Sequence, residues 1–272
     1  MIWFDPSFFL AEMNILFIGD IYGKAGRNLL AKNLENIKKE LNIDFVIANA
    51  ENARHGKGVK KEHINGFIDA GVDFFTLGNH AFNDDEFTEK HLDEPNLPVI
   101  RPANFDSSMP GRGFAIVEFN GVTILIINLI GQISMKHEVK NPFKLVDKIL
   151  GSQKYDISLV DFHAEATAEK AALGHYLDGR VTAVLGTHTH VQTNDARILS
   201  EGTAFITDAG MTGPHDSIIG ADKDPIINFF VNEEAKHVTP ATGPVQFNGV
   251  KIGVDLKSKK AKFIEPVNII YE

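Results

Sequence analysis

The chain has 272 residues, 43 % hydrophobic and 23 % charged, the profile of an ordinary globular protein long enough for a real core. Its 27 Lys and Arg against 36 Asp and Glu give a formal charge of −9, and no Lys/Arg run stands out, so non-specific binding to duplex nucleic acid is not expected. There is no cysteine, which excludes disulfides, thiol nucleophiles and thiolate zinc sites and fits a reducing compartment.

Residues 1–12 contain Phe8, Phe9 and Leu10 but neither a basic start nor a small-residue cleavage site, so they do not read as a signal peptide. They read as an N-terminal extension without catalytic relevance. The alternative is an apolar arm packing on a neighbouring subunit, which keeps a homo-oligomer open. No later stretch approaches the length of a membrane span. A cytoplasmic protein without membrane partners is expected, with residues 13–272 forming one domain.

In chain order, the first strand is expected just after Met13, over residues 15–18. Residues 27–41 place Leu29, Leu30, Leu34, Ile37 and Leu41 at helical spacing. A strand ending at Asn49, a helix over 61–70, a strand over 73–77 and a helix over 84–92 follow. This alternation predicts a parallel or mixed sheet covered by helices. Residues 114–119, Asn120-Gly121 and 122–129 predict a hairpin with a type I′ turn. Then come a helix over 141–150, a strand over 157–160, an Ala-rich helix over 165–177 and a strand over 181–185. From Gly202 onward short strands dominate. Asn248-Gly249 predicts a second tight turn, followed by strands over 250–256 and 261–270. The fold class is α/β, two packed sheets with helices on the outer faces.

Four polar clusters sit where apolar runs end: Gly19-Asp20, Glu51-Asn52, Gly78-Asn79-His80 and Gly186-Thr187-His188-Thr189-His190. His163 follows residues 157–160 in the same way. Asp, Glu, Asn and His are the oxygen and nitrogen donors of hard-to-borderline cations. In open α/β sheets ligands bind beyond the carboxyl ends of strands. Five strand ends that each deliver such a donor predict one convergent metal site.

The order of these clusters resembles the calcineurin-like metallophosphoesterases. Two departures, Tyr22 in place of a histidine after Asp20 and Glu51 in place of an aspartate, match the narrower group of YmdB-like bacterial phosphodiesterases. Ala48-Asn49-Ala50-Glu51-Asn52, Arg101-Pro102-Ala103-Asn104, Asp161-Phe162-His163-Ala164-Glu165 and Met211-Thr212-Gly213-Pro214 look like that group too. The resemblance implies an α/β/β/α sandwich with two metal ions, divalent or trivalent, of Fe or Mn, with Zn also permitted. Glu51 would bridge both ions. Asp20, Asn52 and His190 would complete the first, and Asn79, His163 and His188 the second. A bridging position needs two carboxylate oxygens, which Glu51 has, and Asn52 offers a neutral carbonyl oxygen. The resemblance implies that His80 is the proton donor to the leaving oxygen. The plain alternative is an orienting hydrogen bond to a ligand.

The implied activity is hydrolysis of a small phosphodiester, a 2′,3′-cyclic nucleotide and also a 3′,5′-cyclic one. A hydroxide held between two cations about 3.5–4 Å apart would attack phosphorus. Three rivals are a phosphomonoesterase or protein phosphatase on the same centre, a metal-dependent regulator that binds nucleotide or RNA with little turnover, and a mononuclear hydrolase. Other residues carry weaker expectations. The Arg54–Gly58 segment either cradles phosphate or is a solvated turn. Asp161 either holds a ligating histidine or faces solvent. His215 either lines the substrate cleft or has no role there. His175 reads as a surface residue, and His63, His91, His137 and His237 as solvated or loop residues.

Overall fold

A computed structural model describes residues 11–272, so the expectations for residues 1–10 lie outside it. In chain order the elements are β1 (Glu12–Ile18), β2 (Asp20–Ile21), α1 (Gly23–Leu41), β3 (Phe45–Asn49), α2 (Lys61–Asp69), β4 (Phe74–Thr76), α3 (Asp85–Lys90) and β5 (Val99–Ile100). They continue with β6 (Phe114–Phe119), β7 (Val122–Ile130), α4 (Pro142–Ser152), β8 (Ile157–His163), α5 (Thr167–Tyr176) and β9 (Ala183–Thr187). The last are β10 (Arg197–Ile198), β11 (Ala204–Ile206), β12 (Met211–Pro214), α6 (Lys223–Asn232), β13 (Val245–Asp255) and β14 (Lys260–Tyr271).

Two sheets result. One has the order β2-β12-β13-β1-β3-β4-β5, with β14 on the other edge of β13, and the second has the order β10-β11-β9-β8-β7-β6. Their central strands are buried on both faces, as expected of sheets covered on both sides, while the edge strands β6 and β14 alternate. Ile15, Phe17, Ile47, Ile126, Leu159, Leu185 and Ile252 pack between the sheets. Leu16, Val46 and Phe75 point the other way, onto Leu30 and Leu34 of α1 and Phe67 of α2. Val160 and Val184 turn outward on the second sheet, onto Val146 of α4 and Leu173 of α5. The expected α/β/β/α sandwich is therefore present.

Parallel pairing runs from β1 through β3 and β4 to β5, and from β7 through β8 and β9 to β11. Each set delivers its carboxyl ends together. Asn49 and Thr76, at the ends of β3 and β4, both donate to the carboxylate of Asp161 on β8, which ties the two edges into one rim.

Three secondary-structure expectations need correction. Asn248-Gly249 is not a turn: both residues lie inside β13, paired with β1 on one side and β14 on the other. The Asn248 side chain donates to Met211 O, so two-sided pairing overrides the local turn preference. The reversal comes at residues 256–259, where Asp255 Oδ1 accepts from Lys257 N and Ser258 N. The stretch after Gly202 also holds a helix, α6. It has no buried residue, so it lacks the periodic buried stripe that would announce it. The first strand starts at Glu12, whose neighbour Ala11 accepts from Leu256 N. Among the described residues, no helix is long and apolar enough to cross a membrane.

His63 is neither solvated nor in a loop. It lies in the first turn of α2, its side chain is 11 % exposed, and Nδ1 accepts from Lys60 N at 3.3 Å. Burial, reinforced by the Arg27 guanidinium, pushes its pKa down to about 4. The unfolded chain takes up this proton near pH 6.5. The stability that neutral His63 contributes is thus complete above that pH and is lost as pH falls towards 4. Urea denaturation between pH 7 and 4.5 should show stability falling more steeply in the wild type than in His63→Gln, whose amide can still reach the Lys60 N–H. Equal slopes would assign the acid sensitivity elsewhere.

Candidate metal centre

The rim holds all seven donor residues named from the sequence. Asp20 is delivered by β2, which pairs in parallel with β12. Glu51 and Asn52 follow β3, Asn79 and His80 follow β4, His163 ends β8, and His188 and His190 follow β9. Asp20 and His163 are fully buried, and Glu51 and Asn52 nearly so.

The donors fall into two groups. In one, His163 Nε2 lies 2.9 Å from Asn79 Oδ1, 3.0 Å from His188 Nδ1 and 3.0 Å from Glu51 Oε1. In the other, Asn52 Nδ2 lies 3.3 Å from Asp20 Oδ1, 3.0 Å from His190 Nε2 and 3.2 Å from Glu51 Oε1. Glu51 Oε1 is the atom common to both groups. Its other oxygen, Oε2, accepts from the backbone N–H of His80 at 3.0 Å. Asn52 turns its amide nitrogen towards the centre of its group. A half-turn of the amide brings Oδ1 to the same place, so either atom can face the other donors.

This donor set fits a cation. It consists of carboxylate, imidazole and amide groups and has no sulfur. One ligand atom each from Glu51, His163 and His188 lie within 4.8 Å of one another. Gly78 leaves the room: a Cβ there would stand 2.2 Å from Glu51 Oε2 and 2.5 Å from His163 Nε2.

The surrounding hydrogen bonds set the tautomers. His163 Nδ1 faces Thr187 Oγ1 at 2.9 Å, and Thr187 Oγ1 donates onward to Asp161 Oδ1 at 2.7 Å. The His163 proton therefore sits on Nδ1, and the Nε2 lone pair faces the donors. His190 Nδ1 donates to Ile219 O at 2.8 Å, with the same effect on its Nε2. His188 Nε2 lies 3.3 Å from Glu165 Oε2, which turns Nδ1 inward. This is the arrangement by which outer groups orient histidines that bind metals. Burial pushes the pKa of His163 down to about 4 and that of His188 down to about 3, so both rings are neutral near pH 7. Burial also raises Asp20, against the pull of His190 and His163, and pushes Asp161 up to about 7 despite hydrogen bonds from Thr76, Thr187 and Asn49.

The loop after β9 is held under strain. His188 and His190 have φ of 104° and 66°, a region non-glycine residues rarely enter. Thr189 between them donates through its N–H and its hydroxyl to Asp208 Oδ2, at 3.0 and 2.8 Å. The buried Lys170 ammonium holds the same oxygen at 2.7 Å. Asp161 is buried and not solvated, and it reaches His163 only through the Thr187 hydroxyl. Thr187, Thr189, Glu165, Lys170, Asp208 and the Ile219 carbonyl were not anticipated. The alternating Thr-His-Thr-His of residues 187–190 was the available signal for two of them.

His80 stands beside the donors. Its Nδ1 lies 3.0 Å from Asn83 Nδ2, and burial lowers its pKa, with Glu51 opposing. Tyr22 contributes no donor atom and packs edge-on to His190, ring centroids 5.7 Å apart. In the Arg54–Gly58 segment, Gly56 makes room for this ring, since a Cβ would stand 2.5 Å from the Tyr22 hydroxyl. Arg54 pairs with Asp84 at 2.6 Å, the residue that caps α3. His215 faces Gln246, His91 pairs with Glu94, and His137 packs on Phe105.

Comparison with known proteins follows this geometry. The model of a family described as YmdB-like protein matches residues 16–267. A 2′,3′-cyclic-nucleotide 2′-phosphodiesterase of Bacillus subtilis is 43 % identical over 259 residues, 94 % of this chain and 97 % of that one. A Mycoplasma pneumoniae crystal structure described as a novel phosphatase superposes with a TM-score of 0.90 at 38 % identity, covering 95 % of this chain and 94 % of that one. The structure of a hypothetical protein from Thermus thermophilus superposes with a TM-score of 0.89 at 38 % identity, covering 96 % and 100 %.

Thr187→Val removes the hydroxyl between His163 and Asp161 at nearly constant volume. Affinity for Mn²⁺, measured by titrating chelator-treated protein, should fall about 10–100-fold. An unchanged affinity would show that the tautomer of His163 does not depend on Thr187.

Proposed function

The chain belongs to the YmdB-like protein family, and from that membership we propose that it is a metal-dependent phosphodiesterase of cyclic nucleotides. The preferred substrates are 2′,3′-cyclic nucleotides, with 3′,5′-cyclic nucleotides as further ones. The observation that carries the reading is the meeting of two donor groups at Glu51 Oε1. In this reading Asp20, Asn52 and His190 would hold one ion, Asn79, His163 and His188 would hold another, and Glu51 would be shared. The nitrogen and oxygen donors suit Mn or Fe, with Zn also compatible. A cytoplasmic setting, suited to a chain without cysteine, goes with it.

Such cations, when bound, polarise phosphoryl oxygens and lower the pKa of water. The rest of the chemistry belongs to the side chains. Glu51 ties the two groups together through one oxygen, not through two as the sequence led us to expect: Oε1 faces both groups, while Oε2 accepts from the His80 backbone. Asn83 keeps the His80 ring in place in either protonation state. Its Nδ2 donates to Nδ1 of the neutral ring, and after a half-turn its Oδ1 accepts from the imidazolium. Nε2 of His80 is then left to give its proton to the ribose oxygen that leaves phosphorus. Lys57 is near enough to His80 to act on its charge and is the cation on this edge that a phosphodiester anion would meet.

Two experiments test the reading. In Glu51→Gln, elemental analysis after dialysis should find both ions weakly held, because the shared carboxylate is gone; two ions retained tightly would sink the bridging role. His80→Ala should keep both metals and still bind substrate, but turn over about 10²–10⁴-fold more slowly on a cyclic nucleotide, whose alkoxide needs a proton. Its loss on bis-p-nitrophenyl phosphate should be far smaller. Equal losses on both substrates, or a lost metal, would remove His80 from the proton-donor role.

A further inference from the structure

One wall of the donor site is also the wall of a second space. Behind His190 lies a cavity of about 360 Å³, at the small end of the range for ligand sites. Its lining includes Val191, Met211, His215, Ile219 and Gln246 and contains no Lys, Arg, Asp or Glu. That is unusual beside a rim of buried carboxylates, and it suits an uncharged occupant.

Two observations mark this cavity as more than a surface dent. Ile219 has φ of 48°, a genuine outlier for a β-branched residue. That backbone places its carbonyl on His190 Nδ1 and leaves its side chain on the cavity rim, 54 % exposed. Val191 stands there too, 61 % exposed. The polar groups, in turn, keep unused capacity. His215 donates through Nδ1 to Gln246 Oε1 at 2.8 Å, which leaves Nε2 as an acceptor. Among the described residues, no protein group takes His215 Nε2, and none takes Gln192 Oε1 or Asn268 Oδ1, which line the same space. Val191, Met211 and Ile219 offer apolar surface to a ring face, and the amide and imidazole groups that make up most of the lining offer partners to its edges, which together are what a nucleobase needs.

We propose that this cavity is a nucleoside subsite, taking the uncharged nucleoside of a phosphodiester held at the donor rim, with Ile219 contacting it and His215 reading its polar edge. The proposal rests on the phosphodiesterase reading for its biological use but not for its first test. Adenosine is titrated into chelator-treated protein while the histidine rings are followed by NMR, the His215 signal being identified by its absence in His215→Ala. That signal should shift. No shift at millimolar adenosine overturns the subsite.

The second test uses Mn²⁺-loaded protein. Ethylene phosphate keeps the five-membered phosphodiester ring of a 2′,3′-cyclic nucleotide and has no nucleoside. The ratio of kcat/KM for 2′,3′-cyclic AMP to that for ethylene phosphate should fall at least about ten-fold in His215→Ala and in Ile219→Asn. Asn tolerates the left-handed backbone, so the carbonyl on His190 is kept. A ratio equal to that of the wild type overturns the subsite. If the wild type opens neither phosphodiester yet His215 still shifts with adenosine, the phosphodiesterase reading fails and the nucleoside cavity stands.

Discussion

Four carboxylates, Asp20, Glu51, Asp161 and Asp208, are buried at one end of this fold, and a single ammonium, that of Lys170, is buried with them. Buried charge is costly unless it is paired. Lys170 answers only Asp208. Asp161 is satisfied by three donors and remains hard to ionise. Asp20 and Glu51 face His163, and Glu51 faces His188, rings that burial keeps neutral, and no Lys or Arg pairs with either carboxylate among the described residues. The neighbouring elements are arranged around this deficit of positive charge, which a bound cation would remove. The nearest guanidinium that is itself buried, Arg101, is spent on backbone carbonyls of Pro102, Asp106, Met109 and Pro110.

The sandwich was legible because its central parallel strands, such as residues 15–18 and 45–48, are short apolar runs and its covering helices carry a clear stripe such as Leu29, Leu30, Leu34 and Ile37. The rim was legible for a related reason. A polar residue immediately after a buried run has few places to go in an α/β sheet except the carboxyl edge. What could not be read were features set by tertiary contact. Asn248-Gly249 has the composition of a turn, yet two flanking strands hold it extended. Helix α6 buries none of its residues and leaves Phe230 and Val231 exposed, so no apolar face distinguishes it from a loop. Glu165, Lys170 and Asp208 act on the histidines from sites that no spacing in the chain connects to them.

Tyr22 shows how a missing ligand is accommodated. The wider superfamily pattern has a histidine there, and this chain has a phenol that makes no hydrogen bond to another described residue. Its ring fills the space beside His190, with Gly56 and Gly220 drawn close on either side. Asn52, on a different strand end, takes up a position among Asp20, Glu51 and His190. The strand ends and not the individual residues define the rim, so a polar group from one segment can stand where another segment lacks one.

The order in which the donors occur along the chain has a consequence for folding. His188 and Asp20 touch across 168 positions of sequence, and Asn49 reaches Asp161 across 112. Closing such long loops carries an entropic cost that the core offsets, and the first sheet shares it, since β1 pairs with β13 from the far end of the chain. The rim therefore does not exist in a half-folded chain. Any ion that binds it binds the native state alone and shifts the folding equilibrium towards that state by mass action. Starving a cell of the metal would then shorten the lifetime of the protein as well as silence it.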